Sequence, residues 1–127
     1  MNKDLVLVGD KTRPNVHFNY ERGELTLEGR CILEYAEIIF NPIMDWLEKY
    51  IENPKEKTSI NIALEYFNSS TAKALVRFLF LAKQLVDNNV QLEVNYYYDD
   101  ETVREYGQDF VEVVGIPFNF TEKNFHK

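Results

Sequence analysis

The sequence predicts a single two-layer α/β domain over residues 1–127. A mixed sheet joins an N-terminal β-hairpin to parallel strands, and helices lie mainly on one face. Three observations predict it. Two neighbouring segments of alternating polarity meet at a glycine-containing turn, the mark of a hairpin. Further alternating segments are separated by stretches of helical periodicity, so their strands pair in parallel through crossovers. These segments alternate strictly, whereas strands covered on both faces run apolar throughout. One face of the sheet is therefore largely wet.

Leu5 to Val8 offers a short first strand. Val16, Phe18 and Tyr20 then alternate with Asn15, His17 and Asn19. Glu21-Arg22-Gly23 makes a turn with a glycine available for positive φ, and Leu25 and Leu27 alternate with Glu24, Thr26 and Glu28. Ile38, Ile39, Ile43, Trp46, Leu47, Tyr50 and Ile51 recur at helical spacing. Pro42 falls inside this pattern. It either kinks one helix or takes the first helical position behind an Asn41 cap. Asn53-Pro54 ends the element. Ile60, Ile62, Leu64 and Tyr66 alternate with Asn61, Ala63 and Glu65, a strand reaching Phe67. A helix follows from about Thr71 to Asn88. Leu92, Val94 and Tyr96 mark another strand. Asp99-Asp100 offers caps for a helix carrying Val103, Tyr106, Phe110 and Val113 or Val114, which Gly115-Ile116-Pro117 stops. Phe118 to Thr121 offers a last short strand. This arrangement puts Tyr96 in the core and His17, Asn19, Asn61, Glu65, Glu93 and Asn95 on the wet face.

The composition, 45% hydrophobic and 28% charged, is that of a globular domain with its own core. With 14 basic and 21 acidic residues the net charge is −7. That argues against the basic patches by which proteins hold nucleic acid or anionic membranes. No apolar stretch is long enough to span a bilayer, Met1-Asn2-Lys3-Asp4-Leu5 lacks the apolar segment of a signal peptide, and Cys31 is the only cysteine. These features predict a cytoplasmic protein. Groups that could converge for catalysis are scarce. His17 and His126 read as solvated histidines, Cys31 as a small, partly buried residue between hairpin and first helix. No His or Cys spacing suggests zinc, and neither a P-loop nor a Gly-x-Ser-x-Gly element is present. Asp99-Asp100-Glu101 could offer oxygens to magnesium, but a helix N-terminus explains the same acids. The expectation is a protein without enzymatic activity, metal or cofactor.

One segment stands apart: Asn68-Ser69-Ser70-Thr71-Ala72-Lys73, where a strand gives way to a helix. Asn and Ser are favoured helix caps, so capping alone accounts for much of it. The cluster nevertheless holds more hydroxyls than one cap requires. Lys73 also lies in the first turn, where a cation opposes the helix dipole but suits a phosphate. In the helix that follows, Leu75, Leu79, Ala82 and Val86 share a face that Phe78, Leu81 and Leu85 widen. The opposite stripe is Lys73, Arg77, Phe80, Gln84 and Asp87. Phe80 interrupts this polar stripe, either under a neighbouring helix or as an exposed anchor for a partner.

A strand, Asn68-Ser69-Ser70 and a helix together resemble the phosphorylation loop of the anti-sigma-factor antagonist (STAS) domains. More closely, the chain from about Pro14 to Phe120 resembles the SiaC family of bacterial regulatory phosphoproteins, which has a STAS-like fold. The residues carrying this resemblance are Leu25-Thr26-Leu27-Glu28-Gly29, Phe40-Asn41-Pro42-Ile43 with Trp46-Leu47, Leu64 through Leu75, and Leu92 through Asp99. The resemblance implies a non-enzymatic protein phosphorylated by a dedicated protein kinase and dephosphorylated by a PP2C-type phosphatase. The unmodified form then binds an effector protein, in some systems a diguanylate cyclase. Carried over, the acceptor is Ser69, with Ser70 and Thr71 as alternatives. Asn68, Ser70, Lys73, Arg77 and Phe80 form the expected partner-binding surface. Two other readings fit the same residues: an anti-sigma-factor antagonist that binds an ATPase-type anti-sigma kinase, or a small ligand-binding domain using the wet sheet face. Asn68 stands where the STAS antagonists carry aspartate, a departure that counts against the first of these.

Overall fold

A computed structural model describes residues 3–126; Met1, Asn2 and Lys127 lie outside them. The elements run β1 (Leu5–Leu7), β2 (Asn15–Asn19), β3 (Glu24–Cys31), α1 (Glu37–Glu52), β4 (Lys57–Phe67), α2 (Ser69–Asp87), β5 (Gln91–Tyr98), α3 (Glu101–Val114) and β6 (Phe118–Glu122). All six strands form one sheet in the order of the chain. The β1–β2 and β2–β3 pairs are antiparallel; the pairs from β3 to β6 are parallel. Each β-α-β crossover steps to the next strand in the same direction. Crossovers of one hand that progress one way put their helices on one face. The three helices accordingly bury Leu47, Leu75, Phe78 and Phe110 against Phe18, Leu25, Ile60, Ile62, Val94 and Tyr96 of the sheet in a single core. The expected mixed sheet with one helical layer is the observed architecture.

Local departures from the expected pattern have physical causes. Helix α1 continues through Pro42 as one element, with Ala36 at its N-cap position. Ile39 and Phe40 before the proline and Ile43 and Leu47 after it are all buried, so packing on both sides holds the segments in line. Ile38, although part of the apolar repeat, is exposed. Helix α2 starts at Ser69 instead of Thr71, because Asn68 takes the extended cap conformation (φ −96°, ψ 179°). Val86 is 47% exposed; Thr71 and Ala74 complete the buried face in its place.

The largest departure is at the end of β4. Gly29 pairs with Leu64 but Arg30 pairs with Tyr66, so Glu65 is an extra residue, a β-bulge. The bulge reverses the alternation: Tyr66 is 49% exposed and Phe67 is buried. Cys31, opposite Phe67, is the last residue of β3 and fully buried, not a partly buried residue after the hairpin.

The helix-free face is polar and ordered. Thr26, Asn61, Asn95 and Asn119 stand level on four adjacent strands. Asn61 Nδ2 donates to Thr26 Oγ1 (3.2 Å), Asn95 Nδ2 to Asn61 Oδ1 (2.9 Å) and Asn119 Nδ2 to Asn95 Oδ1 (3.1 Å). Strands spaced about 4.8 Å apart bring such amides within reach of one another. On the helical side, Tyr96 is fully buried and its hydroxyl donates to the Val103 carbonyl at 2.6 Å. Helix α3 approaches the sheet closely at Gly107, where a Cβ would stand 2.6 Å from the Tyr96 ring and 2.7 Å from that of Phe120. It ends at Gly115 in the left-handed region (φ 80°).

Candidate functional site

The junction of β4 and α2 assembles several groups at the C-terminal edge of the sheet. Asn68 Oδ1 accepts from Thr71 N–H at 3.0 Å and its Nδ2 donates to the Leu33 carbonyl at 2.9 Å. One side chain thus caps α2 and holds the β3–α1 connection against it. Ser70 Oγ accepts from Ala36 N–H at 3.1 Å. Thr71 Oγ1 donates to the Cys31 carbonyl at 3.0 Å, with Cys31 Sγ also at 3.0 Å, and is fully buried. Burial pushes the Cys31 thiol above its ordinary pKa, partly offset by Thr71. Ser69 differs from its neighbours. It is exposed and its hydroxyl makes no hydrogen bond among the described residues.

Three adjacent hydroxyls therefore have three different situations. Thr71 is sealed in the core, Ser70 bridges two helix N-termini, and Ser69 is free at the first position of α2. Of the first four α2 amides, those of Thr71 and Ala72 are taken by Asn68 Oδ1 and the Asn68 carbonyl. The N–H groups of Ser69 and Ser70 have no intrahelical acceptor, and the helix dipole adds positive potential there.

Ser69 and Ser70 open onto a cleft of about 610 Å³ lined also by Glu34, Glu37, Lys73, Val76 and Arg77. A second cleft shares Arg77 and continues between α1 and α2 past Asn41, Met44, Asp45 and Ala74. Lys73 and Arg77 are exposed on the α2 stripe, and Phe80 is 46% exposed one turn further on. The neighbouring helices leave Phe80 uncovered, so the exposed reading is the one the fold adopts. The expected site residues thus run from the Asn68 cap to Phe80 in the fourth turn of α2. Glu34 and Glu37 belong to the same cleft and carry no signal in the sequence. They are brought there by the β3–α1 connection, which only tertiary packing positions.

Other candidate groups have structural partners. His126 Nε2 lies 2.8 Å from Glu65 Oε1, and Arg30 Nε 3.2 Å from Glu65 Oε2. The Arg30 guanidinium holds the Glu65 carboxyl below the usual carboxylate range. His17 faces Asp4 at 3.6 Å. Asp100 caps α3 by accepting from Thr102 N–H at 3.2 Å. Among the described residues no group of His, Cys, Asp or Glu could hold a metal ion. No helix among them is long and apolar enough to cross a membrane.

Residues 7–123 match the family described as SiaC family regulatory phosphoprotein. A protein of Pseudomonas aeruginosa (strain UCBPP-PA14), described only as uncharacterised, is 25% identical over 117 residues, covering 91% of this chain and 93% of its own. The fold matches that of apo-SiaC from Pseudomonas aeruginosa with a TM-score of 0.85 at 24% identity, over 94% of this chain and 98% of that one. It also matches SiaC in a structure of the diguanylate cyclase SiaD in complex with its activator SiaC, from the same organism, with a TM-score of 0.86 at 24% identity. That match covers 94% of this chain and all of the other.

Proposed function

Because this chain belongs to the SiaC family of regulatory phosphoproteins, we propose that it is a non-enzymatic cytoplasmic regulator switched by reversible phosphorylation of Ser69. The observation carrying this reading is the contrast among adjacent hydroxyls: Ser69 alone of the three is exposed and without a hydrogen bond. A kinase needs an accessible hydroxyl that itself holds no contact in the fold. Thr71 would have to leave the core, and Ser70 would lose its contact with Ala36.

The unmodified form binds an effector over the N-terminal turns of α2, through Asn68, Ser70, Lys73, Arg77 and Phe80. By analogy with the Pseudomonas aeruginosa complex, the effector is a diguanylate cyclase. A protein kinase adds the phosphate and a PP2C-type phosphatase removes it. The phosphate brings about −1.5 to −2 charges and three acceptor oxygens. The free N–H groups of Ser69 and Ser70, the α2 dipole and Lys73 four residues on all favour an anion there. The fold therefore tolerates the modification. The interface does not, since a small hydroxyl becomes a dianion that is costly to desolvate against a partner.

The test is intact and peptide mass spectrometry on the protein isolated from its own cells, with and without phosphatase treatment. A phosphate on Ser69 that the treatment removes is the expected result. Protein unmodified under several growth conditions would return the segment to simple capping.

A further inference from the structure

Resting on the Ser69 switch, we propose that the phosphate acts on the β3–α1 connection as well as on the contact surface itself, with Glu34 and Glu37 as the groups that sense it. Three side chains of the α2 N-terminus hold this connection: Asn68 on the Leu33 carbonyl, Ser70 on Ala36 N–H, and Thr71 on the Cys31 carbonyl. Its place is therefore set by the segment that carries the switch.

The cleft onto which Ser69 opens is close to electrically neutral, with Glu34 and Glu37 against Lys73 and Arg77. None of these four takes part in an ion pair among the described residues, whose pairs join other side chains. Four unpaired charges thus face a space that a phosphate on Ser69 would enter. The dianion turns the balance strongly negative. It attracts Lys73, one turn along the same helix, and repels Glu34 and Glu37 across the cleft. Lys73 is held on a regular helix, whereas Glu34 lies in an irregular connection and Glu37 in the first turn of α1. The repulsion is relieved most easily where the backbone is least restrained. The bond from Ala36 N–H to Ser70 Oγ, next to the modified residue, is then the first to open. The connection exposes Ile32 and Tyr35, and Ile38 follows in the first turn of α1. Its displacement rearranges an apolar surface beside Ser69 that a partner of the unmodified form meets.

The experiment compares protein carrying phosphoserine installed at position 69 with unmodified protein, by hydrogen–deuterium exchange resolved over residues 31–38. Phosphoserine is expected to speed exchange there about tenfold while α2 and β5 stay protected. In the Glu34→Gln/Glu37→Gln protein the acceleration should fall to about twofold or less, and in Lys73→Gln it should grow. Both acids are exposed, so the fold tolerates the change; Glu34→Gln alone, with an intermediate effect, is the second check. Unaltered exchange on phosphorylation, or an acceleration that survives both Gln substitutions, would overturn the inference. Because the phosphate is installed, this result is separate from the fate of Ser69 in cells. A phosphate found there together with a silent loop sinks only the loop mechanism, whereas its absence there sinks the switch.

Discussion

Replacing Asn68 and Ser69 one at a time separates the cap from the switch. The Asn68→Ala change removes the bond to Thr71 N–H and the bond to the Leu33 carbonyl. Loss of an N-cap costs about 1 kcal/mol. Leaving the part-buried Leu33 carbonyl without its donor costs about another 1 kcal/mol. The two effects sum to about 2 kcal/mol. For a domain of this size that corresponds to a fall in Tm of about 7 °C. Ser69 is exposed and its hydroxyl holds nothing, so Ser69→Ala should stay within about 0.5 kcal/mol of wild type. Ser69→Asp should also, since an acid at a helix N-terminus is mildly stabilising, while effector binding falls. Thermal and urea unfolding followed by far-UV circular dichroism measure all three. If Ser69→Ala cost more than about 1 kcal/mol, or Asn68→Ala less than about 0.5 kcal/mol, the division of labour between the two residues would be refuted.

Other substitutions probe the frame that holds the site. Gly107→Ala drives a methyl into the Tyr96 and Phe120 rings and should destabilise by about 1–3 kcal/mol, read from urea melts. Tyr96→Phe removes the bond to the Val103 carbonyl, an expected loss of about 1 kcal/mol near neutral pH. Burial holds the Tyr96 phenol above its ordinary pKa of 10.0. The unfolded chain therefore loses this proton first, and the contribution is complete below pH 10 and declines as pH rises above it. The gap of about 1 kcal/mol between wild type and Tyr96→Phe should accordingly close within about one pH unit above 10 and then reverse, since wild type loses about 1.4 kcal/mol per unit there; a constant gap would contradict the burial argument. Phe80→Ser should change stability by less than about 1 kcal/mol, since the ring is half exposed. It should weaken capture of the proposed effector at least tenfold if Phe80 is an anchor, measured by interferometry.

Much of this protein is determined by the sequence alone. Period-2 alternation in Val16–Tyr20, Leu25–Leu27, Ile60–Leu64 and Leu92–Tyr96 specifies strands with one wet face, because successive side chains on a strand must point to opposite sides. Helical spacing and the stops at Asn53-Pro54 and Gly115-Ile116-Pro117 specify what lies between. The hydroxyl cluster at the head of α2 is legible for the same local reason, since Asn followed by Ser marks a helix start. Tertiary structure alone decided the remainder. The bulge at Glu65 turns Tyr66 outward and Phe67 inward, and it depends on how β4 meets Gly29 and Arg30 across the sheet. Phe80 stands in the open because the neighbouring helices do not cover it. Ser69, Ser70 and Thr71 are alike in sequence, yet one is free, one is bridged to Ala36 and one is buried against Cys31. Those differences come from contacts with residues more than 30 positions away, which no local periodicity encodes.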